Sequence, residues 1–322
     1  MELRPRSLEE FIGQSRIKKE LKVYIEAVRQ KNEVFPHTFF IGAPGLGKTT
    51  LARIIAFELR RDFKITSGPV IDRPGTLAAI LTSLKAGDVF FIDEIHRMPK
   101  PCQEMLYSAM EDFALDIFLG KGNSGKTVRL SLPRFTLIGA TNKPNLCLAP
   151  LRDRFALVFK LNYYSEEELG EIIKNFGEKL GLKIDESAAL LLAKACKGIP
   201  RQAINFVQKL REFAYLKKAS QEVSQRLVKE FFRLLDIDEW GLTAEDRRCI
   251  ITLYKEFKGG PVGLESLALS SNISPEEMES IYEPALIRMG LIARTRQGRI
   301  LTQKAHDYIK QKILKEDGNV SF

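Results

Sequence analysis

Residues Gly42-Ala43-Pro44-Gly45-Leu46-Gly47-Lys48-Thr49 leave this chain little choice of architecture, because they read G-x-x-x-x-G-K-T. The apolar run Thr38-Phe39-Phe40-Ile41 precedes them, and the helical pattern Thr50-Leu51-Ala52-Arg53-Ile54-Ile55-Ala56 follows. A strand before and a helix after are the flanks a phosphate-binding loop needs. Its glycines let backbone N–H groups close around phosphate oxygens at the positive end of a helix dipole. Lys48 is expected to reach the outer phosphates, and the Thr49 hydroxyl to sit on magnesium. A chance match in a Gly-rich turn is the minor alternative, given both flanks.

Further along, runs rich in β-branched and aromatic residues at 37–41, 63–66, 89–92, 135–138 and 156–159 alternate with helical patterns. That alternation predicts an α/β core with a mainly parallel sheet, since parallel strands need crossovers. Asp88-Val89-Phe90-Phe91-Ile92 is apolar through its body, as a strand buried on both faces should be. A first helix is expected over 8–30, from the stripe Phe11, Ile12, Ile17, Leu21, Ile25 and Val28. One insertion breaks the alternation. Two β-like arms at about 115–132 flank turn residues 120–126, which predicts a hairpin.

From 165 the strands disappear, with Ser165 as N-cap and Glu168 three residues later. An all-helical domain is expected over 165–237, after a large domain over 1–164. Over 238–322, helices at 244–257, 264–269 and 275–289 and then two short strands around Gln297-Gly298 suggest a winged helix. Arg288, Arg294, Arg296 and Arg299 fall between 284 and 303, where there is no acidic residue. That focus is a better DNA signal than the formal net charge of +9, although a solvated basic hairpin is the bland alternative.

Composition closes off other classes. With 44% hydrophobic and 28% charged residues the chain is globular rather than disordered. No apolar run approaches membrane-spanning length, and the start lacks the apolar core of a signal peptide. Cys102, Cys147, Cys196 and Cys249 are scattered, and with His37, His96 and His306 alone no zinc or disulfide framework is suggested. Reduced thiols and a cytoplasmic location are the expectation.

Asp93-Glu94 ends the 89–92 strand. Asp93 can hold magnesium there, and Glu94 can deprotonate the attacking water. Asn142, after the 135–138 strand, can bond the γ-phosphate or that water. Arg152 and Arg154 lie before the 156–159 strand, and Arg201 opens a helix of the second domain. Singly, each arginine is as readily a surface ion pair as a catalyst.

The order of phosphate loop, D-E-I-H, G-A-T-N, L-R-D-R-F and G-x-P-R resembles an AAA+ ATPase. More narrowly, the chain resembles the RuvB family of Holliday-junction branch-migration motors over nearly all its length. The segments Met110-Glu111-Asp112-Phe113-Ala114-Leu115-Asp116-Ile117 and Gly259-Gly260-Pro261-Val262-Gly263-Leu264 are the specific ones.

The resemblance implies ATP and Mg2+, with Thr49 and Asp93 as metal ligands. It places Leu3 and Arg4 by the adenine and ribose, and Tyr164 and Arg201 at the far side of the pocket. Gly45, Gly47, Lys48, Thr49, Thr50, Glu111, Asp112 and Phe113 would complete the nucleotide site, and Arg154 would act in trans on a neighbour's ATP. It also implies that the hairpin over 115–132 grips RuvA, that Arg294 and Arg299 contact DNA, and that a hexameric ring works on duplex DNA at the junction, with RuvC resolving the product. Two departures stand out. Asn142 occupies a sensor position where the family has threonine, and the wing reads Thr295-Arg296-Gln297-Gly298-Arg299 instead of T-P-R-G-R. A clamp-loader or initiator-like AAA+ switch that binds DNA without translocating is the second reading, and a nucleotide-binding relic the third. Retention of Lys48, Asp93, Glu94, Arg154 and Arg201 argues against the relic.

Overall fold

The computed structural model describes residues 4–119, 126–217 and 222–317. Two compact units divide the chain, Met1–Ile172 with Ile199–Ile204 and Ile173–Gly198 with Asn205–Phe322.

In the first unit the order is α1 (Ser15–Lys31), β1 (Thr38–Ile41), α2 (Lys48–Glu58), β2 (Phe63–Ser67), α3 (Pro74–Thr82), β3 (Val89–Asp93) and α4 (Lys100–Asp112). Then come β4 (Ala114–Leu119), β5 (Lys126–Ser131), β6 (Thr136–Thr141), α5 (Ala149–Asp153) and β7 (Leu157–Lys160). Five strands form one parallel sheet in the order β2-β3-β6-β1-β7. Strand β6 lies at its centre, and all six of its residues are buried. Phe39 stacks on Phe155 with ring centroids 4.8 Å apart, and Phe90, Leu137 and Leu106 extend the same core. Register decides where chemistry can gather. Ile41 pairs with Thr141, so the loop after β1 and the loop after β6 leave the sheet at one level. The Gly42 N–H donates to the Thr141 carbonyl over 3.0 Å and fixes that junction.

The first helix is shorter than its apolar stripe predicts. It begins at Ser15, because Gly13 and Gln14 both take left-handed conformations, at φ 78° and 51°. Strands β4 and β5 pair antiparallel as the hairpin, with Leu115 opposite Leu130 and Asp116 opposite Arg129. Its exposed arm presents Val128 and Leu130, while Leu115 packs into the core.

Helices α6 (Glu166–Lys179) and α8 (Pro200–Leu216) each begin in the first unit and continue into the second. Ser165 and Glu168 cap α6 reciprocally, at 2.9 and 3.2 Å. In the second unit, α9 (Gln225–Leu234) packs on α8 through Phe206, Phe231 and Phe232, and α7 (Glu186–Ala195) packs against α9. This part is not purely helical. Strands β8 (Lys183–Ile184) and β9 (Glu222–Val223) make a two-residue parallel pair, too short to register as a pattern in the sequence.

The last part holds α10 (Ala244–Lys255), α11 (Leu264–Ser270), α12 (Pro275–Glu277), α13 (Glu283–Arg288), β10 (Ile292–Thr295), β11 (Gly298–Leu301) and α14 (Gln303–Asp317) around Leu253, Leu267, Met278, Leu286 and Leu301. The single helix expected over 275–289 is interrupted by a π turn at Met278–Tyr282, where the Glu283 N–H bonds the Met278 carbonyl. Pro284 explains the break: it has no N–H to give Ser280, and its ring crowds that carbonyl. Among the described residues no helix is long and apolar enough to cross a membrane.

Candidate functional site

Helix α2 opens at Lys48 after Gly47, which at φ 102° turns the chain out of the loop. Lys48 is 6% exposed, and its ammonium donates to the Gly42 and Ala43 carbonyls over 2.8 and 3.0 Å. Burial pulls its pKa down, while the nearby Asp93 and Glu94 carboxylates push it back up. A cation thus lies inside the loop with two carboxylates facing it. Thr49 and Thr50 follow in the first turn of α2, both half-buried.

Two further walls close on the loop. The buried Tyr164 hydroxyl donates to the Leu46 carbonyl over 3.2 Å, and burial raises its pKa. Arg201, at the start of α8, gives its backbone N–H to the Gly45 carbonyl over 3.4 Å. Only glycine suits position 45: its φ is 83°, and a Cβ there would meet Ile199 at 2.8 Å and Arg201 at 2.9 Å. The Arg201 guanidinium is close enough to depress the Lys48 pKa, so the expected Arg201 belongs to the same site. Arg4 is exposed, and Leu3 lies outside the described residues.

The end of β3 is shaped by close approach. Glu94 adopts a left-handed conformation, φ 49°, one residue past the strand. Its carbonyl lies against Gly68, where a Cβ would sit 2.3 Å from the oxygen. The Glu94 N–H donates to Asp93 Oδ1 over 3.0 Å. Glu94 Oε2 is 3.5 Å from Nε2 of His96, whose Nδ1 is 2.8 Å from the Thr141 hydroxyl. Sequence reasoning gave His96 no role, since a lone histidine in D-E-I-H carries no signal of its own. Next to Thr141, the Asn142 Oδ1 is buried without a hydrogen-bond partner among the described residues. An orphaned buried acceptor at this strand end is costly unless something arrives to bond it.

These residues fit a magnesium–nucleotide. The Thr49 hydroxyl and Asp93 carboxylate are hard oxygen donors of the kind magnesium takes, and Lys48 supplies the fixed cation for phosphate. No cluster of three His, Cys, Asp or Glu side chains occurs among the described residues.

Other expected residues gather elsewhere. Arg154 binds Glu111 Oε2 through Nε at 3.0 Å and Nη2 at 2.7 Å. Asp112, next along, holds Arg129 of the hairpin at 2.7 Å. Phe113, left-handed at φ 49°, packs edge-on against Phe135 at 5.8 Å. So Glu111, Asp112, Phe113 and Arg154 form a second cluster at the end of α4, beside the hairpin.

In the wing, Arg294 is exposed on β10 and pairs in register with Arg299 on β11. Arg299 is not at the surface, contrary to its expected place on DNA. It is 8% exposed, and its Nε and Nη2 bond the two Glu283 oxygens over 3.1 and 2.9 Å. Strand β11 is the inner one: the Arg299 backbone also exchanges both hydrogen bonds with Val262, at 2.8 and 3.0 Å. Arg294 and Arg296 remain as the exposed guanidinium-bearing residues of the wing.

The family model for the Holliday junction DNA helicase RuvB P-loop domain matches residues 3–161. Those for the RuvB AAA lid domain and the RuvB C-terminal winged helix domain match 164–238 and 239–310. The Holliday junction branch migration complex subunit RuvB of Fervidobacterium nodosum is 48% identical over 307 residues, 95% of this chain and 88% of that protein. Its namesake in Thermotoga maritima is 45% identical over 311 residues, 97% and 93% of the two. A solved structure of T. maritima RuvB, described as a Holliday junction branch migration motor, superposes with a TM-score of 0.85 at 42% identity, covering 96% of this chain and 98% of that one.

Proposed function

The chain belongs to the RuvB family, and we propose on that basis that it is an ATP-driven motor subunit that moves duplex DNA to migrate the branch point of Holliday junctions. The observation that carries the reading is the convergence of Lys48, Asp93, Glu94 and the unpartnered Asn142 at adjoining strand ends, with Arg201 against Gly45. Each has a separable task. Lys48 and the loop N–H groups hold the triphosphate, Glu94 takes the proton of the attacking water, and Asn142 orients that water or the γ-phosphate. Thr49 and Asp93 would hold magnesium, which would supply neutralisation of the charge developing on the phosphates.

Arg154 acts on the ATP of an adjoining copy, which makes the catalytic unit an interface of a ring, hexameric by the family's habit. The hairpin, with exposed Val128 and Leu130, is the docking element for RuvA, and RuvC acts on the migrated junction. Arg294 and Arg296 hold the duplex backbone. Among the described residues all four cysteines are buried and free, which suits a reducing cytoplasm.

Branch migration of a synthetic four-way junction, with and without RuvA, tests the reading. ATP-dependent separation of the arms is expected, abolished by Lys48→Ala. ATP hydrolysis on DNA that leaves the junction unmoved would point to the switch without translocation.

A further inference from the structure

His96 stands between the strand end that carries Asn142 and the carboxylate that activates water. The Lys143 N–H donates to Thr141 Oγ1 over 2.9 Å, Thr141 Oγ1 lies 2.8 Å from His96 Nδ1, and His96 Nε2 lies 3.5 Å from Glu94 Oε2. The last distance is at the limit of hydrogen-bonding reach, as catalytic contacts are before substrate arrives.

The chain has a direction. A backbone N–H can only donate, so Thr141 Oγ1 accepts from Lys143 and still has its own proton to give; the carboxylate on the far side of the ring decides that the proton goes to Nδ1. His96 then carries its proton on Nε2, the nitrogen 3.5 Å from the carboxylate. The opposite tautomer would turn a ring lone pair toward Glu94, which repels. Thr141 is fully buried and the His96 side chain is 6% exposed, so water competes poorly for either bond. Glu94 needs such support. Gly68 fixes its backbone, but its side chain is 32% exposed, and His96 is the partner it shows among the described residues.

We propose that Thr141 and His96 form a positioning relay that holds the Glu94 carboxylate for water activation and ties it to the loop of Asn142 and Lys143. This rests on Glu94 being the base. His96 touches no reacting atom; it acts through Glu94. Because Asn142 is the next residue after Thr141, any shift of the strand end when Asn142 gains a partner also moves the hydroxyl donor that orients His96.

The test is steady-state ATPase of the full chain on duplex DNA, alongside ATP affinity and thermal unfolding, for Thr141→Val, Thr141→Ser, His96→Phe and the Val/Phe double variant. Valine matches threonine in shape, so Thr141→Val decides the matter even if His96→Phe folds poorly. The relay predicts that Thr141→Val and His96→Phe each lower kcat about tenfold, with KM and ATP affinity within twofold of the parent. Thr141→Ser restores parental turnover, and the double variant is no slower than His96→Phe. Turnover of Thr141→Val within twofold of the parent, a rise in KM in place of a fall in kcat, or Thr141→Ser as slow as valine would each overturn the relay. Glu94→Gln separates the two readings. If it keeps parental turnover the base assignment fails; if it is inactive while Thr141→Val is unaffected, only the relay fails.

Discussion

Arg299 and Glu283 form a two-pronged ion pair inside the winged helix, at 3.1 and 2.9 Å, with side chains 9% and 5% exposed. The pair ties the inner wing strand to α13, so Arg299 positions the wing and Arg294 faces outward. Breaking a buried pair from one side strands the other charge, at a cost of about 3–5 kcal/mol. Arg299→Ala should therefore lower the thermal midpoint by several degrees. Arg294→Ala should leave it unchanged, weaken duplex binding and reduce the slope of log affinity against log salt by about one. If Arg299→Ala lost DNA affinity with no change in melting, Arg299 would return to the DNA surface.

Gly68 and Glu94 meet backbone to backbone, with 2.3 Å left for a Cβ. In Gly68→Ala, one of the two segments must shift, and the peptide that places Glu94 is the one already strained at φ 49°. Turnover should fall at least tenfold while ATP affinity stays near parental, because Lys48 and its loop are untouched. Loss of ATP binding in step with turnover would mean that Gly68 supports the loop rather than the base.

The nucleotide loop and the sheet were legible because their signals are local. Residues 42–49 specify a conformation, and buried parallel strands read as continuous apolar runs such as Val89-Phe90-Phe91-Ile92. Contacts that depend on distant partners were not legible. The apolar stripe runs ahead of the true start of α1 because left-handed Gln14 leaves no mark on it. Arg299 looks like surface charge in the sequence because the acid-free window opens at Pro284, one residue after its partner Glu283. Thr141 and His96 are 45 residues apart, and it is the β3–β6 register, with Ile92 opposite Gly139, that brings the ends of the two strands together.

Cysteine reactivity gives a test of burial. Desolvation pushes the Cys147 thiol up to about 11 and Cys249 up to about 12, and raises Cys102 and Cys196 as well. The thiolate is the nucleophile, so at pH 8 the native chain should resist iodoacetamide, whereas all four thiols react once it is unfolded. Rapid labelling of Cys147 in the native chain would show that its pocket opens.

Arg154 rests on Glu111 at 2.7 Å, with side chains 37% and 55% exposed. An exposed pair of this kind is worth about 0–1 kcal/mol, so it can be exchanged readily for a phosphate on an adjoining copy. Glu111→Ala should accordingly melt with the parent. Action in trans has a sharper consequence. Arg154→Ala keeps an intact loop and base but offers no arginine, while Glu94→Gln offers the arginine and lacks the base. Each alone should lose about three orders of magnitude or more of turnover. Mixed in equal amounts before ring assembly, they complete about a quarter of the heterologous interfaces, because an Arg154→Ala site then faces a Glu94→Gln neighbour. ATPase of the mixture should rise well above that of either variant alone. A mixture as inactive as its components would place Arg154 on its own subunit's chemistry, and the ring would no longer be required for hydrolysis.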